Sequence, residues 1–357
     1  MRILMLVNWK IKYCGQKPAD LQPPDYAVAG EDYWFYRYFQ DKPQVDVLDI
    51  HSLPFLERFE KNKLRFYVIQ ALRAIPRLNQ YDLIVSHGMQ SAVVVSLWRR
   101  FFKGKVRHVV FEIGSFASAS ESGFSLKLMQ FASKSVDSVI YHTSSQLDYY
   151  SKFFPWIAEK SHFIRFGTDL DFFKPDDLSI SEDHGSYILC VGYAKRDWST
   201  LIEAYQAVDT DVSLRLIGHV EDGYRGIRGV EQFPFMPARD LMNQIYNARF
   251  CVLPLESFNY SYGQMTLMQQ MALEKCVIAA RVPSLTDYVE DGKTALLYEP
   301  GSVSDLSSKM RMLLENEKLT EEIAVNGRLY LETQCNERIM ASEIECMLNQ
   351  EYTLVKK

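Results

Sequence analysis

The strongest constraint in this chain is a repeated alternation: short, continuously apolar, β-rich runs separated by amphipathic helical stretches. In the first half the runs are Ile3–Val7, Val45–Ile50, Leu83–Ser86, Val106–Phe111, Ser138–Tyr141 and Ser161–Ile164. In the second they are Tyr187–Val191, Ser213–Ile217, Phe250–Leu253 and Val277–Ala280. A strand with no polar side must be buried on both faces, which parallel strands achieve when crossover helices cover the sheet above and below. Two such sets in series predict an α/β protein of two Rossmann-like, doubly wound domains. A chain of 357 residues is long enough for two ordinary cores.

The periodic pattern breaks at "FGTDLDFFKPDDLSISEDHGS", where Pro175, Gly185 and a cluster of acids and serines intervene. We therefore expect a first domain over 1–170 and a second over 171–335. The segment 336–357 reads as a helix, with Ile339, Ile344, Met347 and Leu348 among its apolar positions, expected to pack back on the first domain. "RILMLV" near the start is too short for a secretory apolar region and reads as a first strand. No apolar run is long enough to predict a transmembrane helix. Cys190, Cys251 and Cys276 sit inside apolar runs, without metal-ligand spacing, as expected of reduced core residues in a cytoplasmic protein. Charge is unevenly shared. Residues 1–170 hold 22 of the 40 Lys and Arg but 16 of the 45 Asp and Glu, leaving 18 against 29 in the rest. A basic half joined to an acidic half suggests that only one of them meets an anionic partner. Nucleic acid is not expected, because the whole chain is acidic and holds no recognition module.

In open parallel sheets, ligands sit beyond the carboxyl ends of the strands, where helix N-termini present free N–H groups. Two facing domains would place the site in the cleft between them. In "ILCVGYAKRDWSTLIEAY", Gly192 permits a sharp turn, and Lys195 and Arg196 come just before a helix expected to start near Ser199. A cation beside a helix N-terminus is unfavourable for the helix, because both are positive. Either an anion such as a diphosphate lies between them, or both side chains point to water. No phosphate-binding P-loop is present, and no G-x-G-x-x-G follows a strand. In "NYSYGQMTLMQQMALEKCVIAARVPSLTDYVEDGKTALLYEPG", Gly263 allows close backbone approach, and the free N–H groups of a helix follow from Gln264 through Met265 to Thr266. Met265, Met268 and Met271 recur at helical spacing, a core pattern.

From "IRFGTDLDFFKP" through "YVEDGKTALLYEPGSVSDL", the second half resembles the retaining glycosyltransferases of family 4, the glycosyl transferases group 1, whose fold is GT-B. The resemblance implies that Arg196 replaces a diphosphate-binding lysine and that Gly263, Gln264 and Thr266 cradle the distal phosphate. It places Ser261 where a first glutamate contacts the donor sugar, and Gln269 where a second contacts the nucleotide ribose. Tyr193 stands where the family often has an arginine. Glutamine keeps an acceptor oxygen for a ribose hydroxyl. Serine is shorter and neutral, and Glu256, upstream in the same loop, could cover its role. The implied chemistry needs no cofactor, metal or protein nucleophile: positive charge and helix ends stabilise the diphosphate leaving group while the acceptor attacks from the same face.

The first half offers acceptor-side candidates. His87 and Gly88 follow one buried strand and Glu112 and Gly114 another, so either His87 or Glu112 could serve as a base for an acceptor hydroxyl. Gly30 and Glu31 precede an aromatic stretch, like the family's glycine-rich acceptor loop. "FLERFEKNKLRFYVIQALRAIPRL" and "WRRFFKGKVRH" interleave aromatic and basic residues, a pattern that suits peripheral contact with the inner face of an anionic membrane and a lipid-linked acceptor. The expected partners are thus a nucleotide sugar and a glycan or lipid-linked acceptor. The replacements at Ser261 and Gln269 equally motivate a non-catalytic nucleotide- or glycan-binding partner protein. A nicotinamide-dependent enzyme is the third alternative, disfavoured by the missing glycine fingerprint.

Overall fold

The computed structural model describes residues 1–102, 104–112, 121–192, 195–218, 220, 222–257 and 261–353. The first sheet contains β1 (Arg2–Leu6), β2 (Gln44–Leu48), β3 (Leu83–His87), β4 (Arg107–Glu112), β5 (Ser138–Tyr141) and β6 (Ser161–Phe163). The second contains β7 (Tyr187–Gly192), β8 (Ser213–Gly218), β9 (Val230–Phe233), β10 (Phe250–Leu253), β11 (Val277–Ala280) and β12 (Leu296–Tyr298). Their spatial orders are β2-β1-β3-β4-β5-β6 and β9-β8-β7-β10-β11-β12, and the pairings within both sheets are parallel.

The apolar runs explain this burial. Along β1, Ile3 and Met5 belong to one core and Leu4 and Leu6 to the core on the opposite face. Along β4, Val109 and Phe111 face one way and Val110 the other. Strand β9 escaped the sequence reading because its run, Val-Glu-Gln-Phe, is polar and only half-buried at the sheet edge. Strand β12 escaped it because three residues are too few to show a period.

The helix Glu337–Thr353 lies on the first domain. Met340, Ala341, Ile344, Met347 and Leu348 share a core with β1, β3 and β4. The buried phase begins at Met340 rather than Ile339, which is only half-buried. The chain thus crosses between domains twice, and the crossings touch. Glu337 N–H donates to the Thr168 carbonyl at 3.0 Å. A Cβ on Gly167 would lie 2.3 Å from the Asn336 backbone, so only glycine fits there. Arg37 of the first domain binds Asp169 at 2.7 Å and Glu337 at 2.6 Å, joining both crossings to one guanidinium.

Strand order reverses between β1 and β3 in the first sheet and between β7 and β10 in the second. These are the topological switch points, where a crevice opens beyond the strand ends. Both open onto the gap between the domains.

Candidate functional site

The cleft has a volume of about 330 Å³. His87, His142 and Phe166 line it from the first domain, and Val191, Gly192, Arg196 and residues 261–266 from the second. A larger depression of about 680 Å³, lined by Tyr13, Gly30, Glu31 and β2, lies on the outer side of the first sheet, away from both switch points.

On the second-domain side the centre is Arg196, which is 7% exposed. Its Nε donates to the Val191 carbonyl at 3.0 Å, so the side chain folds back across the end of β7. Gly192 makes this possible: a Cβ there would sit 2.2 Å from Nε. The Arg196 guanidinium also reaches Thr266 Oγ1 at 3.4 Å, in the first turn of the helix Gln264–Ala272. Gly263, at φ +87°, caps that helix without a side chain, which leaves its leading N–H groups directed at the cleft. The helix end and the cation therefore share one corner, a pairing that suits a polyanion.

This corrects the expected geometry in one respect. The helix after β7, Trp198–Val208, is closed by its own Asp197, whose carboxylate accepts from Thr200 N–H at 3.1 Å. One of the leading N–H groups of that helix is therefore already satisfied from within the chain. Lys195 is exposed, adopts φ +59° and does not line the cleft. Arg196 serves the other helix instead.

Ser261 and Gln264 face the first domain. Ser261 Oγ lies 2.9 Å from Thr143 Oγ1 and donates to Gln146 Oε1 at 3.1 Å. Gln264 Nε2 donates to the same Thr143 hydroxyl at 2.9 Å. Gln269, further along the helix, donates from Nε2 to Gln22 Oε1 at 2.9 Å. Both neutral residues at the glutamate positions thus bind the first domain. Nearby, Ser144 donates its N–H and its hydroxyl to Asp287, each at 2.8 Å. Met265 is 40% exposed and lines the cleft, whereas Met268 and Met271 are core. Glu256 is exposed and outside the cleft lining.

On the first-domain side, His87 is 6% exposed at the end of β3. Its Nδ1 donates to Asn8 Oδ1 at 3.2 Å, and its ring stacks on Phe111 and meets Trp9 edge-on. Burial, then the nearby His142, lowers its pKa to about 3. It is neutral at physiological pH, and its ring forms part of the cleft wall. Gly88 turns at φ +77° with its N–H on the Phe111 carbonyl, and it does not line the cleft. Glu112 is fully buried but lies on the opposite face of β4 from Phe111, near Tyr149 and Tyr150, whose hydroxyl pKa values its charge helps to raise. The structure does not bring Glu112 to the cleft wall. Gly114 falls outside the described residues. Gly30 and Glu31 line the outer depression, and also a second one beside Trp34 and Arg37, with Glu31 3.6 Å from Lys17.

Sequence reading passed over His142, Thr143 and Phe166. The signal for His142 was present: "VIYHTSS" places a histidine directly after a buried strand, as "IVSHG" does for His87. The contacts of Thr143 depend on the facing domain, so no local pattern could reveal them.

Residues 185–316 match the family described as "Glycosyl transferases group 1". The chain is 25% identical over 172 residues to the capsular polysaccharide biosynthesis glycosyltransferase CapM of Staphylococcus aureus, a stretch covering 48% of this chain and 40% of that protein. The match therefore spans well under two thirds of that relative's length. Among solved structures, Anabaena Alr3699/HepE in complex with UDP superposes with a TM-score of 0.68 at 15% identity, covering 98% of this chain and 100% of that one. Sucrose-phosphate synthase from Thermosynechococcus elongatus gives a TM-score of 0.68 at 17% identity, covering 99% and 100%. The chain has the GT-B fold, and its second domain resembles the group 1 glycosyltransferases in sequence.

Proposed function

We propose that this protein transfers a sugar from a nucleoside-diphosphate sugar to a glycan or lipid-linked acceptor, with retention of anomeric configuration and without a metal. The observation that carries this reading is the shared corner of Arg196, Gly263 and the uncapped start of Gln264–Ala272. The diphosphate sits there, on fixed N–H groups and a buried guanidinium that need no reorganisation as the sugar–phosphate bond breaks. The first domain supplies the acceptor wall. Retention by double displacement would need a carboxylate against the sugar, and the described cleft lining contains no Asp or Glu. Attack on the same face as the departing diphosphate accounts for retention without one. The UDP-bound HepE structure and the capsular role in the name of CapM support a nucleotide-sugar donor and a polysaccharide setting.

No described helix is long and apolar enough to cross a membrane. Phe101 and Phe102 are 68% and 71% exposed at the end of the helix Met89–Phe102, beside Arg100, Lys105 and the half-exposed Phe131. That face is suited to resting on the inner, anionic leaflet while the cleft receives a lipid-linked acceptor. Sedimentation with anionic but not with neutral vesicles is the expected result, and equal recovery in both supernatants would remove the membrane from the reading.

The donor site is tested by thermal unfolding with UDP, GDP, ADP and their hexose conjugates, in wild type and Arg196→Ala. At about a hundred times the dissociation constant, a bound nucleotide adds roughly 2.7 kcal/mol of stability. A rise for one base, lost in the variant, is expected. No rise for any nucleotide would overturn the reading. A second reading, a nucleotide-binding partner without transfer activity, is favoured by Ser261 and Gln269 being engaged with the first domain. It predicts the same rise, but no release of free nucleoside diphosphate with any acceptor.

A further inference from the structure

Among the described residues of the cleft wall, His142 carries a buried nitrogen without a partner. His142, directly after β5, is 1% exposed and lines the cleft. Its Nδ1 lies 2.6 Å from the Ile164 carbonyl oxygen. A carbonyl can only accept, so Nδ1 carries the proton and Nε2 is a lone-pair acceptor. That Nε2 is buried and has no hydrogen-bond partner. Folded proteins satisfy nearly all such atoms, and an exception in a cleft calls for a ligand. Among the described residues, none donates a hydrogen bond to Nε2. Phe111 lies 4.4 Å away and Phe166 5.4 Å, centroid to centroid.

The chemistry of the missing donor follows from the charge state. Burial lowers the His142 pKa to about 4, so the ring is neutral at physiological pH. A neutral lone pair repels a deprotonated phosphate and welcomes a hydroxyl. The diphosphate belongs with Arg196, which leaves the sugar for His142. Position agrees: the next residue, Thr143, meets Ser261, which by resemblance occupies the donor-sugar position.

We propose that His142 is a sugar-positioning residue whose Nε2 accepts a hydrogen bond from one hydroxyl of the sugar carried by the nucleotide donor. The proposal rests on the nucleotide-sugar reading above. It differs from a catalytic role in that His142 neither attacks nor holds a transferred proton.

Calorimetric titration of wild type, His142→Phe and His142→Gln with UDP, GDP, ADP and their hexose conjugates tests it. In His142→Phe, affinity for the free nucleoside diphosphate stays within about twofold, while affinity for the nucleotide sugar falls about tenfold or more. His142→Gln, whose amide oxygen can reach the place of Nε2, recovers most of the loss. With monodeoxy conjugates, removing one particular hydroxyl weakens wild type as much as the phenylalanine does and has no further effect in that variant. Unchanged sugar affinity in His142→Phe would overturn the proposal, as would equal loss of diphosphate and sugar, which marks a structural role. If His142→Phe does not fold, the deoxy series on wild type and His142→Gln still decides: no hydroxyl whose removal weakens wild type would overturn it. Failure of wild type to bind any nucleotide would sink the donor reading and this proposal together. That outcome is recognisable because it appears before any substitution is made.

Discussion

At the scale of single residues, the corner proposed to hold the donor depends on two glycines for different reasons. Gly192 is needed for space, because Arg196 lies where its Cβ would be. Gly192→Ala must push the guanidinium away from Val191 and Thr266, although it removes no charge. We expect a loss of nucleotide affinity of about tenfold or more, approaching that of Arg196→Ala, measured by calorimetry. Gly263 is needed both for backbone, at φ +87°, and for space, since a Cβ would meet Leu255 Cδ1 at 2.5 Å. Gly263→Ala should therefore cost about 1–3 kcal/mol in denaturant unfolding, besides weakening nucleotide binding. Residue chemistry was partly legible in the sequence. Arg196, Gly263 and Thr266 follow from a strand, a turn and a helix start. Which of two adjacent cations turns inward was not legible, because the choice depends on a helix that begins 68 residues after Arg196.

At the scale of elements, the loop before Gln264–Ala272 is fastened to the loop after β5. Thr143 is the shared point, bonded to both Ser261 and Gln264. Thr143→Val keeps the shape and removes the hydroxyl, which strands the nearly buried Gln264 amide. The loss should be roughly 1–3 kcal/mol. Because these contacts cross the cleft, small-angle scattering of the variant should show a larger radius of gyration, or a larger decrease when nucleotide is added. Unchanged scattering with and without nucleotide would mean that the hydrogen bonds do not hold the domains together. The same contacts bear on the replaced glutamates. Ser261→Glu would put a longer, charged side chain against Thr143 and Gln146, so reduced stability at neutral pH is expected in the absence of ligand. Serine and glutamine are the residues that close this cleft with neutral hydrogen bonds.

For the whole molecule, the two domain crossings meet at one buried cluster. Asp169 and Glu337 share Arg37, and Glu337 is buried enough for desolvation to outweigh the guanidinium, raising its pKa to about 7. A carboxyl that binds its proton more tightly when folded adds stability that is full below its ordinary pKa, near 4.5, and lost as pH rises through about 7. Wild type should therefore lose stability between about pH 6 and pH 8, on the order of 1 kcal/mol, beyond any change in Glu337→Gln. Parallel melting curves of the two proteins would not support the assignment. At the same junction, Gly167→Ala should destabilise the molecule severely, because the Asn336–Glu337 peptide already occupies the space.

By itself, the sequence determined the number and kind of layers. Strands apolar on both sides admit few solutions, and the alternation of strand and helix chooses the parallel one. It also pointed to the glycine turn after β7 and the helix start after β10, since glycine and helix-start chemistry are local. The tertiary structure alone decided which candidates meet. Strand parity turned Glu112 away from the cleft, and packing of the last helix on the first domain brought Glu337 to Arg37. Domain apposition set His142 opposite Arg196 and gave Ser261 and Gln269 partners more than a hundred residues away in the chain. Such contacts carry no period, cap or spacing, because they arise between surfaces whose relative placement is fixed only when both cores have formed.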